Sequence, residues 1–264
     1  MDGGWGAFAG EGVRGGSMGA WLTDFRGAVG FLTVLPVGSG TFFHPERMSG
    51  FFPVVGLLLG LILAGLDMLA RFLWPAPLAA LVVIQALIVL TGALHVDGLA
   101  DAGDGLFSHR PREQILAIMK DSRVGVMGVV CLAGVLGLKW GGVWALPQER
   151  FLALILIPAY SRLGMLAGMR WLPYGRPEGG TGAPFCVPSS LGRMFWSAVV
   201  LIPLSLLLGW QGVGLNVVFA VACAGILAFY SRILGCITGD TLGAMNEILE
   251  AVLLLYLAIQ IPCP

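Results

Sequence analysis

The stretch Leu94-His95-Val96-Asp97-Gly98-Leu99-Ala100-Asp101-Ala102-Gly103-Asp104-Gly105 places three carboxylates directly after a long apolar run. In a helix, positions 97, 101 and 104 step by four and then three, so at about 100° per residue they share one narrow face. Three such charges repel one another unless a cation neutralises them. Carboxylate oxygens suit a hard divalent ion, Mg²⁺ or Mn²⁺. A hard cation at a membrane border points to chemistry on phosphates. Asp97, Asp101 and Asp104 are therefore the candidate metal ligands and catalytic groups, with His95 beside them as a further ligand or an orienting group.

Three further strings carry charge suited to the same chemistry. In Ile118-Met119-Lys120-Asp121-Ser122-Arg123-Val124-Gly125, two cations flank a carboxylate just before an apolar segment. Arg123 offers a planar fork and Lys120 a point charge for phosphate oxygens, while Asp121 adds a possible metal ligand. Anchoring by positive residues on the inner side explains the two cations equally well, but not the carboxylate. The loop Tyr174-Gly175-Arg176-Pro177-Glu178-Gly179-Gly180-Thr181-Gly182 can wrap an anion with backbone N–H groups around Arg176, though it matches no Walker-type pattern. In Thr238 to Glu250, Asp240, Glu247 and Glu250 fall at i, i+7 and i+10 on one helical face that runs into an apolar segment. Asp240 alone reads equally as a helix cap. Glu247 and Glu250 need a cation, a proton or a partner such as Arg162.

The elements that position these groups are set by the composition. The 264 residues are 57% hydrophobic and 11% charged, with a mean hydropathy of +0.88. Soluble domains carry about 25% charged residues, so the expected fold is an all-α, polytopic membrane helical bundle. Spanning needs about 20 mostly apolar residues. Seven windows qualify, at roughly 52–73, 77–95, 124–146, 151–171, 194–210, 214–235 and 241–261. Trp21 to Val37 holds Asp24 and Arg26 and reads as an interfacial or re-entrant helix ending near Pro36. Residues 1–20 carry eight glycines and no apolar core of a signal peptide; they read as a flexible tail ahead of one membrane-embedded catalytic domain over 21–264.

The net charge is zero, which gives no electrostatic footprint for nucleic acid. Cys131, Cys186, Cys223, Cys236 and Cys263 show no metal-type spacing. With the N-terminus in the cytoplasm, eleven Lys and Arg residues fall inside, Arg71 and Arg150 fall outside, and Lys139 and Arg162 fall within spans. The loops 95–123, 172–193 and 236–247 then share the cytoplasmic face of the inner membrane.

These strings together resemble the cobalamin synthase family, the adenosylcobinamide-GDP ribazoletransferases. The resemblance is carried by Phe31-Leu32-Thr33 with Leu35-Pro36, by Phe52-Pro53-Val54-Val55-Gly56, and by Thr91 through Gly105. It continues in Ile118 through Gly125, Gly175-Arg176-Pro177 and Thr238 through Glu250, and runs from about residue 21 to the C-terminus. It implies a Mg²⁺-dependent transfer in which adenosylcobinamide-GDP and α-ribazole, or its 5′-phosphate, give adenosylcobalamin, or its 5′-phosphate, and GMP. Lys120, Arg123, Arg162, Arg176, Asp240, Glu247 and Glu250 would then serve phosphate and substrate binding. Two alternatives compete. A CDP-alcohol phosphotransferase would need Ala-Arg after its Asp-Gly, where this chain has Leu99-Ala100-Asp101. A cation-coupled transporter would line a path with Glu247, Glu250, Lys139 and Arg162, and would show paired repeats, which the chain lacks.

Overall fold

The structure is a computed structural model that describes residues 18–38, 44–146, 150–176, 179–180, 182–186 and 191–259. The expected tail lies outside them up to residue 17. The described residues form helices α1 (Met18–Leu32), α2 (Pro45–Ser49), α3 (Phe52–Leu73), α4 (Ala76–Leu90), α5 (Leu94–Leu106) and α6 (Arg112–Ile118). They continue with α7 (Val126–Ala145), α8 (Phe151–Trp171), α9 (Leu191–Ser205), α10 (Trp210–Ile233) and α11 (Gly239–Leu257). No extended strand is present among the described residues; Tyr174 and Ile237 form one isolated bridge. The chain is an all-α, polytopic membrane protein, as its composition requires.

All seven apolar windows fall on helices, but they do not qualify as spans equally. Helices α3, α7, α8 and α10 are each long and apolar enough to cross a bilayer. Helix α4 stops at Leu90, and α5 leaves it at 91°, so the two make a fifth candidate only as a bent pair. Gly92 and Ala93 turn the chain there with φ of 58° at both residues. Helix α9 has 15 residues, and α11 carries Asp240, Glu247 and Glu250 within its 19 residues. The window 77–95 therefore runs past the end of one helix, and its last residues, Leu94 and His95, belong to α5.

In lipid the helices gain nothing from hiding apolar surface from water, so close packing of small side chains holds them together. Helix α8 is the central post, buried along almost its whole length. Its main partner is α3. A Cβ at Gly56 would lie 2.4 Å from the Pro158 carbonyl, and one at Gly60 equally close to that of Ile155. The falling numbers on α8 make the pair antiparallel. Gly164 of α8 faces Leu249 of α11, and Gly168 faces Leu242, so these two are antiparallel as well. Lys139 of α7 pairs with Glu247 and Gly142 faces Leu254, and the numbers rise together on both helices, so α7 is parallel to α11. The N-termini of α3, α7 and α11 and the C-terminus of α8 therefore gather at one end of the bundle.

Candidate active site

That end carries the acidic residues. Helix α5 lies across α11, and glycine on both helices lets the backbones touch. A Cβ at Gly98 would meet the Asp240 carbonyl at 2.9 Å, and one at Gly243 would meet the His95 carbonyl at 3.1 Å. Any side chain at either position would push the helices apart. The crossing brings Asp97 and Asp101 of α5 beside Asp240, the second residue of α11. The start of α11 is fixed by a capping box, in which Thr241 N–H donates to Thr238 Oγ1 at 3.2 Å and Thr238 N–H to Thr241 Oγ1 at 2.8 Å.

The loop after α8 is stitched to the same place. Gly175 N–H donates to the Ile237 carbonyl at 2.8 Å, and Ile237 N–H to the Pro173 carbonyl at 2.9 Å. This registers Arg176 over α11, where its guanidinium pairs with the Asp240 carboxylate. It also reaches the Met119 carbonyl at 3.3 Å, tying in the segment that leads to Lys120 and Asp121. Pro177, Glu178 and Thr181 of the glycine-rich loop lie outside the described residues.

Among the described residues, three carboxylates, Asp97, Asp101 and Asp240, thus gather around the Arg176 guanidinium. The excess of negative charge shows in Asp101. Partial burial first, then the charges of Asp97 and Asp240, push its carboxyl up to about 6, with Arg176 opposing. Asp97 is exposed and Asp101 half-buried.

Asp104 does something different from its neighbours. Its carboxylate accepts from Gly125 N–H at 2.6 Å and Gly128 N–H at 2.8 Å. It caps the N-terminus of α7, where free N–H groups and the helix dipole favour an anion. The three Asp residues of α5 share a face, but this one spends its oxygens on α7. Among the described residues no group of three or more acidic, His or Cys side chains forms a ready metal cage. The donor set still fits Mg²⁺, which usually takes one or two carboxylates, several waters and the oxygens of a substrate phosphate. Asp121 sits apart, gripped by the Arg123 guanidinium at 2.6 Å, a contact that lowers its carboxyl to about 2.

The other residues singled out from the sequence lie deeper. Lys139 Nζ donates to Glu247 Oε2 at 2.5 Å and to Glu250 Oε2 at 2.6 Å. Arg162 Nη1 donates to Glu250 Oε1 at 2.5 Å, and Ser161 Oγ to the same oxygen at 3.1 Å. Arg162 also satisfies the Pro158 carbonyl at 3.0 Å. Lys139 and Arg162 are fully buried, and Glu247 and Glu250 nearly so. Arg162, Glu247 and Glu250 are therefore sealed in the bundle below the mouth, and with Lys139 they join α7, α8 and α11. His95 is 1% exposed and faces this layer from the inner side of α5, away from Asp97; neither ring nitrogen has a hydrogen-bond partner.

Sequence reasoning gave Lys139 no place among the site residues, although it is the hub of the buried layer. It also missed a second buried pair, Asp67 with Arg150, whose guanidinium donates to the Val143 carbonyl as well, at 2.7 Å. The signal was available: a charged residue inside an apolar helix must find a partner.

Comparison with known proteins finds similarity over nearly the whole chain. The family model described as cobalamin-5-phosphate synthase matches residues 24–258. A Geotalea daltonii protein named adenosylcobinamide-GDP ribazoletransferase is 36% identical over 234 residues, covering 87% of this chain and 94% of its own length. Proteins of the same name from Roseiflexus and Pseudomonas savastanoi are each 38% identical, covering 89% and 90% of this chain and 89% and 100% of their own. No solved structure matches. Every segment that builds the mouth lies within the matched residues, and the chain belongs to the cobalamin-5-phosphate synthase family.

Proposed function

We propose that this chain is an adenosylcobinamide-GDP ribazoletransferase, acting through residues 21–264 as one membrane-embedded domain. The 3′-hydroxyl of α-ribazole, or of its 5′-phosphate, attacks the phosphorus that links cobinamide to GMP. A new P–O bond forms, the bond to the GMP phosphate oxygen breaks, and GMP leaves. The observation that carries this reading is the crossing of α5 and α11, which gathers Asp97, Asp101, Asp240 and Arg176 at one mouth. Asp97 and Asp240 would hold Mg²⁺, or Mn²⁺, which when bound neutralises the diphosphate and polarises the phosphorus. Asp101, its carboxyl lifted towards neutrality, is placed to accept the proton of the attacking hydroxyl. Arg176, with Lys120 on the segment that it tethers through the Met119 carbonyl, would steady the departing phosphate.

The mouth faces the cytoplasm of the inner membrane in this reading, supported by the excess of Lys and Arg in the loops at that end. Purified protein in detergent with Mg²⁺, adenosylcobinamide-GDP and α-ribazole should release GMP and form the joined corrinoid in equal amounts. Failure to release GMP with the intact, folded protein would overturn the assignment. A cation-coupled transporter finds less support, because the buried Lys139, Arg162, Glu247 and Glu250 already pair among themselves.

A further inference from the structure

A groove of about 690 Å³ opens on the flank of the bundle between α1, α2, α3 and α9. Its walls are apolar, formed by Trp21, Phe51, Val54, Leu57, Trp196 and Val200. It lies at the N-terminus of α3, and hence at the same end of the bundle as the acidic mouth. Trp21 and Trp196 are 66% and 69% exposed, as expected of indoles at the boundary between acyl chains and headgroups.

One end of the groove is charged. Asp24 is only 4% exposed; its Oδ2 accepts from Arg47 Nε at 2.9 Å. Its other oxygen, Oδ1, is buried with no hydrogen-bond partner. A buried carboxylate oxygen left so is costly, and a donor supplied from outside the chain relieves it. Glu46 also lines the groove, so among the described residues its charged end carries two carboxylates and one guanidinium.

We propose that this groove holds one phosphatidylethanolamine molecule. An acyl chain suits the apolar walls. The primary ammonium brings N–H donors for Asp24 Oδ1, and its positive charge matches the excess of carboxylate. The headgroup phosphate faces the half-exposed Arg47 side chain. A quaternary choline headgroup has the charge but no N–H, and a glycerol headgroup lacks the cation. The groove therefore selects among lipids by one hydrogen bond.

The test uses the full-length protein in mild detergent, given equal amounts of phosphatidylethanolamine, phosphatidylcholine and phosphatidylglycerol with the same acyl chains. Lipid retained after gel filtration is counted by mass spectrometry. We expect about one phosphatidylethanolamine per chain, favoured over phosphatidylcholine by about tenfold, the value of one charge-assisted hydrogen bond. Asp24→Asn should erase that preference. Val200→Trp, which fills the groove without touching the ion pair, should lower retention of all three lipids. Equal retention of the amine and choline lipids by the unaltered protein overturns the proposal, as does a preference for the glycerol lipid. Should Asp24→Asn fail to fold, Val200→Trp still decides: full retention of phosphatidylethanolamine by that variant removes the groove as the site.

Discussion

Helices α5 and α11 meet two layers of charge whose accounts differ. At the mouth, among the described residues, Asp97, Asp101 and Asp240 gather around Arg176. Below it, Glu247 and Glu250 face Lys139 and Arg162, and the charges cancel. The deep layer is complete as it stands and clamps three helices together. The shallow layer is left with surplus negative charge that a cation and a substrate can satisfy. Carboxylates of one helix, Asp240 against Glu247 and Glu250, thus serve opposite ends, and charge balance tells them apart.

The sharpest way to break this contrast is at the mouth. Asp101→Asn and Asp97→Asn should each lower GMP release by about 10²-fold or more, the usual worth of a lost general base or its electrostatic partners. The unfolding temperature should not fall, because each change relieves repulsion. Near-normal turnover in both variants would remove the mouth as the site.

The deep layer should answer in the opposite currency. Lys139→Met leaves two buried glutamates facing Arg162 alone, and removal of one partner from a buried pair costs about 3–5 kcal/mol. Thermal unfolding in detergent should show a large drop, partly recovered in the double variant Lys139→Met with Glu247→Gln. An unchanged unfolding temperature for Lys139→Met would mean that the clamp carries no stability.

A third expectation couples pH to metal. Asp101 is raised from an ordinary carboxyl value to about 6. The folded protein is thus relatively more stable below about pH 4, and loses that contribution as pH rises through 6 and the charge appears. Mg²⁺ should restore it. The rise in unfolding temperature on adding Mg²⁺ should be larger at pH 7.5 than at pH 5; an equal rise at both would contradict the shared mouth. The smallest effect is expected at Arg123→Ala. This guanidinium pairs with Asp121 in solvent, where ion pairs contribute little, so unfolding should not change measurably.

Much of the candidate site is legible in the sequence. The 97, 101, 104 spacing fixes a common helical face, and the apolar windows locate the helices. Two things were hidden because they depend on neighbours distant in sequence. Asp104 shares the face, yet Gly125 and Gly128 of α7 claim its oxygens. Glu247 and Glu250 share a face with Asp240, but two helical turns carry them down to Lys139. Periodicity gives direction around a helix; depth along it is set by what the next helix presents. The same limit drew the second window through the turn at Gly92 and Ala93, where hydropathy is continuous and the backbone is not.

The most direct test of the division between the layers is Mn²⁺ binding followed by electron paramagnetic resonance on the substrate-free protein in detergent. The unaltered chain should bind Mn²⁺, Asp97→Asn and Asp240→Asn should weaken it by about tenfold or more, and Glu247→Gln should leave it unchanged. Loss of binding in Glu247→Gln with retention in Asp97→Asn would contradict the account and move the cation into the deep layer.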